Sequence, residues 1–79
     1  MNNSAIAARL IEALEAAALE AGVSALVSVE ITMLARGEVT RVETQLARKT
    51  KTLAFMNAEC FSAADERIAS AASVHKVTV

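Results

Sequence analysis

The sequence predicts an α+β fold, one long helix packed on a four-stranded antiparallel sheet. Three observations carry this. A stretch made almost wholly of Ala, Leu and Glu opens the chain, with its apolar residues on one helical face. From Val23 onward the apolar period changes to two, the period of a strand. The segments after that point are separated by short polar turns, and short connections favour antiparallel neighbours.

The helix is expected over residues 4–21. Asn2, Asn3 and Ser4 are N-cap residue types. Ala5 to Ala21 holds only good helix formers. Ile6, Leu10, Leu14 and Ala17 recur at helical spacing, while Arg9, Glu12, Glu15 and Glu20 lie off that stripe. Gly22 is a helix-ending glycine.

Strands are expected at about 26–34, 39–48, 52–62 and 68–78, as a meander. In the first, Val27, Val29, Ile31 and Met33 alternate with Ser28, Glu30 and Thr32. In the second, Val42 and Leu46 point inward, and Arg41, Glu43 and Gln45 outward. The third places Leu53, Phe55 and Phe61 on one face and Ala54, Met56, Ala58 and Cys60 on the other. Two apolar faces predict burial on both sides. The fourth is lined with Ala and Ser. The turns are Ala35–Glu38, Lys49–Lys51 and Ala63–Arg67. The helix is the one element able to cover the sheet.

Seventy-nine residues make one domain with a thin core. Ordering costs about 1.5 kcal/mol per residue and apolar burial returns about 25 cal/mol per Å², so the two nearly cancel at this size. One cysteine, Cys60, gives no internal disulfide. The apolar share of 54% is above that of an average globular chain, and self-association is the remaining way to bury more of it. Eight basic against nine acidic residues argue against a nucleic-acid surface. No apolar run is long enough for a membrane span, and the N-terminus lacks the basic region of a signal peptide, so a cytoplasmic location is expected.

Three segments resemble one family. The run ARKTKTLAFMNAEC, residues 47–60, is similar to a basic turn followed by Leu-Ala-Phe and an alternating acidic strand. ADERIASAASVHKV, residues 64–77, resembles that family's closing hairpin, and VSVEITMLAR, residues 27–36, its first strand after the helix. Together they resemble hotdog domains of the phenylacetyl-CoA and hydroxybenzoyl-CoA thioesterase type, which wrap a sheet around one central helix. The resemblance covers nearly the whole chain. It departs at the start: the family's usual first strand is absent, and Asn3-Ser4-Ala5 stands in place of its His-Gly-Gly loop.

The resemblance implies a hotdog-like fold, an acyl-CoA or related acyl thioester as partner, and a homo-oligomer, dimer or tetramer, with sites at the subunit boundary. No cofactor and no metal are implied. Glu12, in IAARLIEA, matches the carboxylate of the family's helix, a general base or nucleophile for thioester cleavage. Backbone donors near Ser4 and Ala5 would stabilise the oxyanion. Asn3, Ser4 and Ser28 are candidates for substrate binding, and Arg48, Lys49 and Lys51 for the phosphates of coenzyme A. Each has a plainer reading: a surface glutamate, helix caps, a strand serine and a solvated turn. His75 stands alone near the C-terminus, with no Cys or Asp beside it in the sequence to make a metal site or a triad, and Cys60 reads as core packing.

Two function classes therefore compete. One is a thioesterase acting through Glu12. The other is a non-catalytic hotdog module that binds an acyl ligand or serves in assembly, as loss of the His-Gly-Gly loop favours. A truncated gene product with an uncovered sheet edge is a third expectation.

Overall fold

In the computed structural model, which describes residues 1–77, one helix lies across a four-stranded sheet. Helix α1 spans Asn3–Glu20, and strands β1 to β4 span Val23–Met33, Arg41–Lys49, Leu53–Phe61 and Arg67–Val77. The expected reach of the last strand to residue 78 lies outside the described residues.

Helix α1 begins one residue earlier than expected because Asn2 is the cap. Its side-chain oxygen accepts the Ala5 N–H at 2.8 Å, which places Asn3 and Ser4 inside the first turn. Gly22 ends the helix in the left-handed region, at φ +76°, where a Cβ would be strained. The buried stripe is Ile6, Leu10, Leu14 and Ala18, a strict i, i+4 row. Ala17 flanks it, partly buried against the same core.

The sheet is antiparallel but not a meander. Its order is β1-β4-β3-β2, so β1 pairs with β4 and not with its sequence neighbour. Residues 34–40 carry the chain past the ends of two strands. The N–H groups of Leu34 and Ala35 both bond the Ile68 carbonyl at the start of β4, and the Thr40 N–H bonds the Phe61 carbonyl at the end of β3. Three interstrand gaps of about 4.8 Å need about 14 Å, which seven extended residues cover easily. Val39 is buried on the way. Gly37 passes so near β4 that a Cβ there would lie 3.1 Å from Ile68 Cδ1. The segment read as a hairpin turn is thus a crossing with its own packing.

Beneath α1 the central strands present small side chains. Ala54, Met56, Ala58 and Cys60 of β3 alternate inward, in register with His75, Ser73, Ala71 and Ala69 of β4. A floor of alanines lets the helix approach closely, and its Ile and Leu side chains fill the space; each contributes about 1.5–3 kcal/mol when fully buried. Cys60 is buried, its thiol pKa pushed up by desolvation, and Sγ lies 3.7 Å from the Ala69 carbonyl it faces.

Bulges in β1 and β2 change which residues face the helix. β1 slips between Leu26 and Ser28, and the extra residue, Val27, is 54% exposed instead of joining the inward row with Val29, Ile31 and Met33. β2 slips between Leu46 and Arg48. Val42 is half-buried against the core as expected, but Leu46, also expected inward, remains 42% exposed on the edge strand β2. The far face of β3 is likewise open: Leu53, Phe55 and Phe61 are half-buried, since no second layer packs on them. Arg41 stacks over Phe61, 4.3 Å from its ring centre, and bonds Asp65 and Glu43.

Candidate functional site

Helix geometry decides where Glu12 points. At 3.6 residues per turn it lies about 200° around the axis from Leu10, diametrically opposite the buried stripe. It is exposed, and so are its helix-face neighbours Ala8, Ala16 and Leu19, the last at 74%. Among the described residues Glu12 makes no ion pair or hydrogen bond of its side chain. The helix thus offers an exposed carboxylate directed away from its own sheet, with Ala8, Ala16 and Leu19 around it and the exposed Arg9 and Glu15 one turn to either side.

The expected oxyanion donors sit at the start of the same helix. The Ala5 N–H is taken by Asn2, and the Ile6 N–H bonds the Asn2 carbonyl at 3.1 Å, so the amides of Asn3 and Ser4 are the free donors of the first turn. The side chains of Asn3 and Ser4 are exposed and do not cap the helix, because Asn2 has that position. Eight residues separate Ser4 from Glu12, about 12 Å at a rise of about 1.5 Å per residue. One thioester carbonyl cannot touch both within a single chain.

The basic turn divides by role. Lys49 Nζ lies 3.4 Å from the carbonyl of Ala21 at the end of α1, where a cation meets the negative end of the helix dipole. Arg48, carried to the opposite face by the bulge, is exposed, as is Lys51 in the turn itself. The turn is held by Thr50, whose hydroxyl accepts the Leu53 N–H at 3.0 Å. Arg48 and Lys51 are therefore available to an anion, while Lys49 already has a carbonyl.

Ser28 lies on the sheet face away from α1, paired with Val74. There it borders a concavity of about 420 Å³ with Glu30, Phe55, Asn57, Ala72 and Val74. A second concavity of about 380 Å³ continues along this face between Thr32, Gln45, Glu59 and Ser70. The sheet separates Ser28 from Glu12, so the chain does not bring these two candidates together.

One constellation was not anticipated. Ser73 Oγ and His75 Nε2 are 2.8 Å apart under the helix, both buried. The signal was present in the sequence: Ser and His two apart on a strand share a face. The pair has the spacing of a nucleophile and its base. With 3% and 0% exposure it has no path to a substrate.

No protein-family profile matches the sequence, and no curated protein matches it. Solved structures do. A Streptococcus mutans protein bound to acetyl-CoA superposes with a TM-score of 0.86 at 12% identity over 98% of this chain and 65% of its own. A hypothetical thioesterase from Streptococcus pneumoniae, solved with coenzyme A, gives 0.86 at 11% over 98% and 65%. Thioesterase superfamily member 2 from Mus musculus gives 0.77 at 18% over 96% and 66%. The chain thus spans just under two thirds of the length of each of these structures. No helix among the described residues is long and apolar enough to cross a membrane. At these identities the likeness speaks for architecture, and that architecture is clear: the chain is a hotdog domain, its helix and four-stranded antiparallel sheet laid out as in these structures.

Proposed function

We propose that this chain binds an acyl-CoA or related acyl thioester between two copies of itself and hydrolyses it through Glu12. The observation that carries the proposal is the superposition, over nearly the whole chain, on structures that hold acetyl-CoA and coenzyme A. The exposed carboxylate on the helix face turned away from the sheet supports it. So does the edge of β1, eleven residues long with Glu30 as its one charge, which is poorly guarded against pairing with another strand.

Edge-to-edge pairing of two such sheets would set two helices side by side. The first-turn amides of one helix could then meet Glu12 of the other, closing the gap of about 12 Å that one chain leaves. In that arrangement Glu12 takes a proton from water as the oxygen attacks the acyl carbon. The free amides of Asn3 and Ser4 bond the developing oxyanion. The C–S bond breaks, the proton passes to the departing thiolate, and a carboxylic acid and a free thiol leave. Arg48 and Lys51 would hold phosphates of the coenzyme by charge-assisted bonds. The side chains of Asn3 and Ser4 would contact the acyl end.

A second reading keeps the binding and drops the chemistry. It is favoured by the distance of about 12 Å between Glu12 and the donors within one chain. Light scattering and a thiol-trapping assay over a panel of acyl-CoA esters separate the two. We expect a defined dimer or tetramer whose hydrolysis is lost in Glu12→Ala. A folded oligomer that shifts its Tm with acyl-CoA but turns nothing over would establish the second reading. Hydrolysis unchanged in Glu12→Ala would remove that residue from the mechanism.

A further inference from the structure

His75 is the one histidine of the chain, and none of its surface reaches solvent. It sits on the inner face of β4, level with Leu26 of β1 and Ala54 of β3. Nε2 is hydrogen-bonded with Ser73 Oγ at 2.8 Å, and Nδ1 is buried with no partner among the described residues. A neutral imidazole carries one N–H. Placed on Nε2, that hydrogen is donated to the Ser73 oxygen, and Nδ1 is left as a bare acceptor. Placed on Nδ1, it would be a buried orphan donor, which folded proteins rarely tolerate. The packing therefore selects the Nε2–H tautomer.

Taking up a second proton at Nδ1 would create both faults at once, a donor without an acceptor and a charge without water. The charged groups around it do little to offset this. From α1, Glu15 attracts a positive imidazole. From β2, Lys49 stands in register with Ala54, beside His75, and its ammonium is turned to the Ala21 carbonyl. Lys76 projects from the other face of β4. Among the described side chains, β1 and β3 place Leu26 and Ala54 at that level, neither of them charged. Desolvation outweighs Glu15, and the imidazole is held below its ordinary value of about 6.5.

We propose that the buried Ser73–His75 pair is an acid-sensitive latch: one proton taken up at Nδ1 breaks the packing of α1 against this end of the sheet. The linkage has a definite sign. Because the folded pKa lies below the unfolded one, the unfolded chain takes the proton first as pH falls. The latch is fully closed above about pH 6.5 and loses up to about tenfold in the folding equilibrium per pH unit below it, until the folded form is protonated too. The loss precedes the titration of ordinary carboxylates near about pH 4.

The test is an NMR titration of the native chain, whose imidazole signals belong to one residue, run beside thermal unfolding from pH 7.5 to 4.5 on the native chain and His75→Leu. We expect the folded imidazole to stay neutral well below its usual range. The native Tm should fall from about pH 6.5 downward, while that of His75→Leu stays level until the carboxylates titrate. An imidazole that charges at the free-histidine pKa in a chain that remains folded would overturn the latch. So would the same pH profile in both proteins. If His75→Leu does not fold, the native titration and the native Tm profile decide alone.

Discussion

Truncating Leu14 to alanine tests the docking of α1 more directly than any other change. Leu14 is fully buried, and Leu19, one helical face away, is 74% exposed. Leu14→Ala removes three carbons from a dry site, at about 0.8 kcal/mol each, or about 2.4 kcal/mol of transfer energy. A cavity cost is added where the surroundings cannot relax. Here they have little to relax with, because the sheet below is paved with Ala54, Ala58, Ala69 and Ala71, whose methyl groups cannot swing into a void. The total belongs in the upper part of the measured range, about 3–5 kcal/mol. A domain of this length is stable by only about 4–12 kcal/mol. At about 4–8 °C per kcal/mol, Leu14→Ala should lower Tm by at least about 12 °C, or leave the chain unfolded. Leu19→Ala should stay within about 0.5 kcal/mol of the parent. Circular dichroism melts at one fixed protein concentration read both, since an oligomer's Tm depends on concentration. Equal losses in the two variants would mean that the helix does not dock by the Ile6–Leu10–Leu14–Ala18 face. The assignment of Glu12 to the open face would then fall with it.

Two further outcomes follow from the geometry. Asn2→Ala should cost about 1 kcal/mol in urea denaturation, because the Ala5 N–H loses its acceptor, whereas Ser4→Ala should cost little; the reverse order would return the cap to Ser4. Arg48→Glu together with Lys51→Glu should raise KM for an acyl-CoA several-fold and leave KM for a short thioester without the nucleotide unchanged; a uniform change in both would deny the turn a phosphate role.

The sequence revealed the elements but not their adjacency. Alternation and caps located the helix and every strand to within a few residues, because each is dictated by local burial. Strand order is not local. Nothing in Ala35–Glu38 announces that Leu34 and Ala35 will bond Ile68, thirty-odd residues away. The bulge at Val27 was equally silent, since period two reads straight through it. For the candidate site, a helix wheel is enough to put Glu12 on the open face. The separation of Ser28 from Glu12 depends on which side of the sheet the helix covers, and the Ser73–His75 bond on how deeply β4 is buried. Those are tertiary facts, visible once the layers are stacked.

Strand β4, the last of the described strands, is one of the two inner strands of the sheet. It is flanked by β1 on one side and β3 on the other, with Val23 held to Val77 and Met33 to Ala69. On a growing chain the helix and the β2–β3 hairpin can therefore form early, yet β1 gains its neighbour in the sheet only once β4 has emerged. Such long-range closure is slow. Throughout the wait, the apolar side of β1 and the alanine face of β3 have no neighbour between them, which makes the nascent chain a natural client for chaperones and a hazard to its own copies.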